Sequence, residues 1–212
     1  MNFLSDISDC LADADAALLL LINSRHSPAL DAVMWAASDR WIWVPLYMSL
    51  AWLLVRRSGP AAAAAALVLI GGLIAASDQT CASLIRPVVG RLRPSNPDSP
   101  LSAALHLVGG YRGGAFGFPS CHAANTMALA VFLALVFRNK RFSAAMIGWS
   151  SLVSYSRVYL GVHYPSDILA GMAVGSALAC IFYMAFRIIS HRLPAASVRR
   201  FRHPCPSRRP VS

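Results

Sequence analysis

Long apolar runs alternate along this chain with short polar clusters, and the runs predict helices. Residues 16–24 are apolar but much shorter than the roughly 20 residues a helix needs to cross a bilayer. Ser27-Pro28 has the form of an N-cap followed by Pro at the first helical position. Residues 29–38 then place Leu30, Val33, Met34 and Ala37 on one face at helical spacing. Both segments are expected to lie in or near a membrane interface; one broken span across 16–38 is the alternative. Longer runs follow at 41–55, 60–85, 120–137, 142–155 and 168–186. The first opens on Trp41 and Trp43, suited to an aromatic belt, and closes at Arg56-Arg57, which can snorkel. The second contains the alanine run 61–66, and the last has Gly171 and Gly175 at small-xxx-small spacing, both suited to close helix packing. The pattern predicts an all-α fold, a polytopic membrane helix bundle of five to six spans with an interfacial amphipathic N-terminal region. Its expected organisation is interfacial helices over 1–40, a transmembrane domain over 41–189 and a basic, disordered cytoplasmic tail over 190–212.

Composition agrees with a membrane protein. Of 212 residues, 57% are hydrophobic and 13% charged, against about 25% charged in a soluble domain. The net charge is +10, there is no Glu, and Lys140 is the only Lys. The basic residues also set an orientation. Arg56-Arg57, then Arg138, Lys140 and Arg141, then the Arg-rich tail alternate onto one side, which the positive-inside rule makes cytoplasmic. The expected location is the plasma (inner) membrane, with the loop 86–119 and the connection 156–167 on the periplasmic or exterior face. Arg86, Arg91, Arg93 and Arg112 then lie on the wrong side for topology, and an anionic ligand is the natural reason. The five cysteines (Cys10, Cys81, Cys121, Cys180 and Cys205) have neither disulfide-framework nor zinc spacing. The N-terminus lacks a basic region and carries Asp6, Asp9, Asp13 and Asp15, unlike a cleavable signal peptide. No repeat, nucleotide loop or basic-aromatic pattern is present, so nucleic acid is not an expected partner.

Three polar clusters share that outer face. Arg86 and Arg93-Pro94 form the first, and arginine's planar fork suits bidentate contact with phosphate oxygens. Taken alone, they could equally be interfacial arginines that hold headgroups. The second is Pro119-Ser120-Cys121-His122, with Pro119 suited to a first turn and Ser120 to the cap. A helix N-terminus is a ready anion site, and His122 can carry a proton near neutral pH. The third is Ser156-Arg157, His163 and Asp167. The i, i+4 spacing of His163 and Asp167 fits one helical face or a helix start, and a carboxylate on one imidazole nitrogen leaves the other directed. A structural His–Asp contact is the plainer alternative. Together the clusters supply positioning and charge neutralisation for phosphoryl transfer, without a metal or other cofactor.

In order and spacing, Arg86-x6-Arg93-Pro94, Pro119-Ser120-Cys121-His122 and Ser156-Arg157-x5-His163-x3-Asp167 resemble the tripartite signature of the type 2 phosphatidic acid phosphatase superfamily. The resemblance implies that residues 41–189 are a lipid phosphatase domain. It implies that His163 attacks phosphorus, Asp167 orients it, and His122 protonates the leaving oxygen and later activates water. Arg86, Arg93, Arg157, Ser120 and the backbone N–H of Cys121 would hold the phosphoryl oxygens. Two positions depart from the family pattern: Arg86 stands where Lys is usual, and Cys121 where Gly is usual. Asp78, eight residues before Arg86, is expected to pair with a site arginine or to hydrogen-bond a neighbouring helix. His106 and Arg112 are expected in a headgroup-selecting lid or an ordinary loop, and Tyr159 and Tyr164 at the interface. The implied partners are a lipid phosphate substrate and membrane lipids, with no obligate protein partner. Polyprenyl diphosphate, phosphatidate-type lipids and lipid A phosphate are the implied substrates. A phosphotransferase and a non-catalytic lipid-binding scaffold are the alternatives.

Overall fold

A computed structural model describes residues 3–193, with side chains described from residue 9. It is all-helical among those residues, apart from one isolated antiparallel bridge between Leu92 and Phe116. The helices are α1 (Phe3–Asn23), α2 (Pro28–Ser38), α3 (Val44–Ser58), α4 (Pro60–Gln79), α5 (Arg86–Val89), α6 (Cys121–Phe137), α7 (Lys140–Tyr159) and α8 (Pro165–Arg192). A 3-10 turn, Arg40–Trp43, joins α2 to α3, and a π-helical turn, Thr80–Ile85, carries α4 into α5. Pro60–Val89 and Pro165–Arg192 are long and apolar enough to cross a membrane, whereas Cys121–Phe137 is apolar but shorter. α8 runs into the segment expected to be tail; residues 194–212, which hold the rest of that expectation, lie outside the described residues.

Helix α6 is the central post. It is apolar on every side, as a helix surrounded by others must be, and packs against α4, α7 and α8. The α8 contact is closest because two glycines face it. A Cβ on Gly171 would lie 2.4 Å from the Ser120 carbonyl oxygen, and one on Gly175 would lie 2.1 Å from that of Ala124. Helix α3 packs on α4, and between them and α6 an apolar cleft of about 530 Å³ remains open.

The N-terminal helices pack onto the rest of the bundle. α1 is far longer than residues 16–24, packs on α7 and α8, and buries Leu19 completely. Asn23 at its end donates to the carbonyls of His106 and Tyr159 and accepts from the His106 N–H. Ser27 caps α2 as its sequence predicts. Tyr159 is buried and donates to Asp31 at 2.6 Å, so it is an internal strut and not an interface residue. Tyr164 is buried as well.

Helix α5 ends at Gly90, which takes the left-handed conformation (φ +60°) that only glycine adopts cheaply. The loop that follows is braced. Arg93 N–H donates to Ala115 and Gly117 N–H to Arg91, clasping its two ends together. Arg112 donates to the Ser95 carbonyl and the Ser102 hydroxyl, each at 2.6 Å, so its charge is spent inside the loop. His106 bonds Asp31 at 2.9 Å and stacks on His26.

Candidate active site

The second cluster opens α6, with one change from expectation. Ser120 is the N-cap, its hydroxyl accepting from Ala123 N–H. Pro119 lies before the cap, following a cis peptide bond, and is not in the first turn. The N–H groups of Cys121 and His122 head the helix without intrahelical partners. The third cluster spans a helix start, one of the two placements its spacing allows. His163 ends the α7–α8 connection, Tyr164 is the N-cap of α8, and Asp167 lies in its first turn.

His163 and Asp167 are almost fully buried, with the histidine Nδ1 3.3 Å from Asp167 Oδ2. That oxygen also accepts from Tyr164 N–H at 3.0 Å. Arg93 comes from the far loop and donates to the carbonyls of Phe116 and Val162, and its Nη1 lies 2.9 Å from His163 Nε2. Arg157 donates to Ser38 and to the Tyr111 hydroxyl. Arg86 donates to the Pro119 carbonyl and to Cys121 Sγ at 2.9 Å. The Nε groups of Arg86 and Arg157 are buried without a hydrogen-bond partner among the described residues. A buried charged donor left unpaired is costly, and an anion would satisfy both.

The electrostatics follow from burial among cations. Burial, then the charges of Arg93, Arg157 and Arg86, pushes His163 well below the ordinary histidine range. Burial, then Arg157 and Arg86, brings Arg93 down to about 10, still charged at neutral pH. Burial alone would raise the Tyr111 phenol, but the hydrogen bond and charge of Arg157 outweigh it and hold the phenol below its usual value.

His122 is exposed and stands where two cavities meet. One is the apolar cleft, lined by Leu50, Leu54, Ile70, Ile74 and Leu133 among others. The other is a polar pocket of about 390 Å³ whose walls include Arg157, Tyr111 and Arg40. Arg93 of the first cluster touches His163 of the third, and Arg157 of the third shares the polar pocket with His122 of the second, so the three clusters adjoin one another. Asp78 bonds Asn125 of α6 at 3.4 Å, and among the described residues it makes no ion pair with a site arginine. Of the two expectations for Asp78, the structure shows the hydrogen bond to a neighbouring helix. No group of three His, Cys, Asp or Glu side chains among the described residues could hold a metal ion.

Arg91 and Asp15 carry no motif, yet they brace the site. Arg91 donates to Asp167 Oδ1 at 2.9 Å, to Ser166 at 2.6 Å and to Asp15 Oδ2 at 2.6 Å, with its guanidinium 3.8 Å from the Tyr164 ring centre. Asp15 also accepts from Ser166 N–H at 2.9 Å. The linear signal for this pair is weak: an arginine on the wrong side for topology and one aspartate among several.

The sequence profile of the PAP2 superfamily matches residues 60–189, which include all three clusters. The chain belongs to the PAP2 superfamily. It is similar to a lipid A 4'-phosphatase of Bacteroides thetaiotaomicron, 44% identical over 185 residues, which cover 87% of this chain and 80% of the relative. A lipid A 4'-phosphatase of Porphyromonas gingivalis is 32% identical over 88% of this chain and 79% of its own length. Among solved structures, a transmembrane PAP2-type phosphatidylglycerolphosphate phosphatase of Bacillus subtilis shares the fold. It superposes with a TM-score of 0.60 at 22% identity, over 91% of this chain and 90% of the other. Aquifex aeolicus LpxE does so with a TM-score of 0.59, also at 22% identity, over 79% of this chain and 93% of its own. With this membership the chain is a phosphatase.

Proposed function

We propose that this PAP2 protein hydrolyses a lipid phosphate through a phosphohistidine on His163. The observation that carries the reading is the meeting of two cavities of opposite polarity at His122. An amphiphile bound there has room for its tail in the cleft between α3, α4 and α6, and for its phosphate beside Arg157. The Nε2 lone pair of His163 attacks phosphorus, and the bond to the leaving oxygen breaks as His122 delivers a proton to it. A water deprotonated by His122 then attacks the phosphohistidine, releasing phosphate and restoring both histidines. Asp167 orients His163 and balances the charge that develops on it. Arg86, Arg93, Arg157, Ser120 and the N–H of Cys121 hold the phosphoryl oxygens as charge builds on them.

In this reading residues 41–189 form the membrane domain and α3, α4, α6, α7 and α8 cross the bilayer. The site opens at the outer interface, and the Arg56-Arg57 and Arg138–Arg141 ends face the cytoplasm, which the charge asymmetry supports. The names of the two long-matching relatives make a lipid A phosphate the first substrate to assay, beside polyprenyl diphosphate and phosphatidate.

The test is phosphate release by detergent-purified protein in EDTA, wild type beside His163→Ala. Release by the wild type alone is expected. Equal release by the variant would sink the histidine mechanism, and phosphate appearing on an added hydroxyl acceptor in place of free phosphate would make the enzyme a transferase.

A further inference from the structure

The polar pocket is much larger than a phosphate group needs, and its outer wall has a chemistry of its own. Trp35 of α2 is 45% exposed there and meets Tyr111 edge-on, with ring centres 5.5 Å apart. Asp39 and Arg40 stand beside it in the turn between α2 and α3. Asp39 Oδ1 accepts from Trp41 N–H, and its other oxygen has no hydrogen bond among the described residues. Neither the Arg40 guanidinium nor the Trp35 indole N–H has a hydrogen-bond partner among the described residues; Arg40 rests 5.5 Å from the Trp41 ring centre. A rigid aromatic face, a free carboxylate oxygen and free N–H donors thus surround a space whose floor is His122 and Arg157.

We propose that this wall is the headgroup subsite and takes a saccharide bearing the reacting phosphate, with Trp35 against the ring and Asp39 and Arg40 on its hydroxyls. The inference rests on the phosphatase reading above. A carboxylate repels a second phosphate, so Asp39 disfavours a bare diphosphate, but it accepts from hydroxyls. A glycerol headgroup offers hydroxyls without a flat apolar face to cover the indole. A sugar ring has both, and an aromatic side chain presents contact area at small entropic cost. The lipid tail has separate room in the apolar cleft, so ring and chain do not compete for space.

The test compares kcat/KM for a lipid-linked sugar phosphate and for phosphatidate, using full-length protein in detergent. Trp35→Ala is expected to lower the sugar-to-phosphatidate ratio about tenfold, mainly through KM. Trp35→Phe should recover most of the loss, and Asp39→Asn should lower the ratio in the same direction. Equal losses on both substrates would make Trp35 a membrane anchor and overturn the subsite, as would a wild-type preference for phosphatidate. Binding of the same sugar phosphate lipid to His163→Asn protein separates the two readings. Binding that depends on Trp35, in a protein whose wild type releases phosphate from no lipid, would keep the subsite and remove the hydrolase. Binding indifferent to Trp35, beside active wild type, would remove the subsite alone.

Discussion

Arg93 donates a hydrogen bond to Nε2 of His163, the nitrogen proposed to attack phosphorus, at 2.9 Å. A guanidinium has no acceptor, so Nε2 receives that bond on its lone pair and the ring proton sits on Nδ1, toward Asp167. The resting ring is held as a neutral imidazole in the tautomer a nucleophile needs. In the proposed reaction Arg93 would cover the lone pair until a phosphoryl group arrives. Its oxygens would then draw the guanidinium away, and the same charge that masks the nucleophile would serve the transition state.

That neutral ring has a pH consequence. His163 lies well below its ordinary value of 6.5, first through burial and then through Arg93 and Arg157. Below about pH 6.5 the unfolded chain binds a proton that the folded one refuses. The stability contributed by neutral His163 is therefore complete above that pH and is lost as the pH falls toward the depressed value. The acid limb of kcat/KM that belongs to this group should likewise lie below pH 6.5. Unfolding curves from pH 4 to 8 should show less acid destabilisation in His163→Asn than in wild type; identical curves would contradict the assignment.

Arg91 and Asp15 are expected to act as positioning residues for Asp167. Arg91→Ala frees one oxygen of the carboxylate that aims His163, and Asp15→Asn weakens Arg91's anchor on α1. Loosening the aim of a reacting group costs roughly ten- to a hundredfold in rate. The loss should fall on kcat with little change in KM, with Asp15→Asn the milder variant and Arg91→Lys a partial rescue. A loss confined to KM would instead make Arg91 a substrate contact.

Gly171→Ala should damage both stability and the site. Its Cβ would fall 2.4 Å from the Ser120 carbonyl, so α8 must move off the start of α6. Overpacking of this kind costs about 1–3 kcal/mol. The same movement would stretch the bond from Ser120 N–H to the Asp167 carbonyl, 3.0 Å long, which ties the cap of α6 to the first turn of α8. Thermal unfolding in detergent and kcat should fall together, and an unchanged melting temperature would show that the helices have slack.

The helix starts at Ser27 and Ser120 could be read from the chain, because caps and turns are decided by a few adjacent atoms. The apolar runs from residue 41 onward likewise became helices, with boundaries shifted by a few residues. The role of Asp78 was open in the sequence, since an i, i+8 relation to Arg86 permits an ion pair but does not require one. The braced loop was illegible because Arg112 finds its acceptors only after Ser95 and Ser102 have been folded toward it.

The sequence by itself determined the all-helical fold, the family and the three clusters, since hydrophobic period and motif spacing are properties of neighbouring residues. Only the tertiary structure decided that α1 belongs to the body of the enzyme, that Arg91 ties Asp15 to Asp167, and that Tyr159 is an internal strut. It also decided that an apolar cleft and a polar pocket meet at His122. Such relations join residues dozens of positions apart, so no local pattern along the chain displays them.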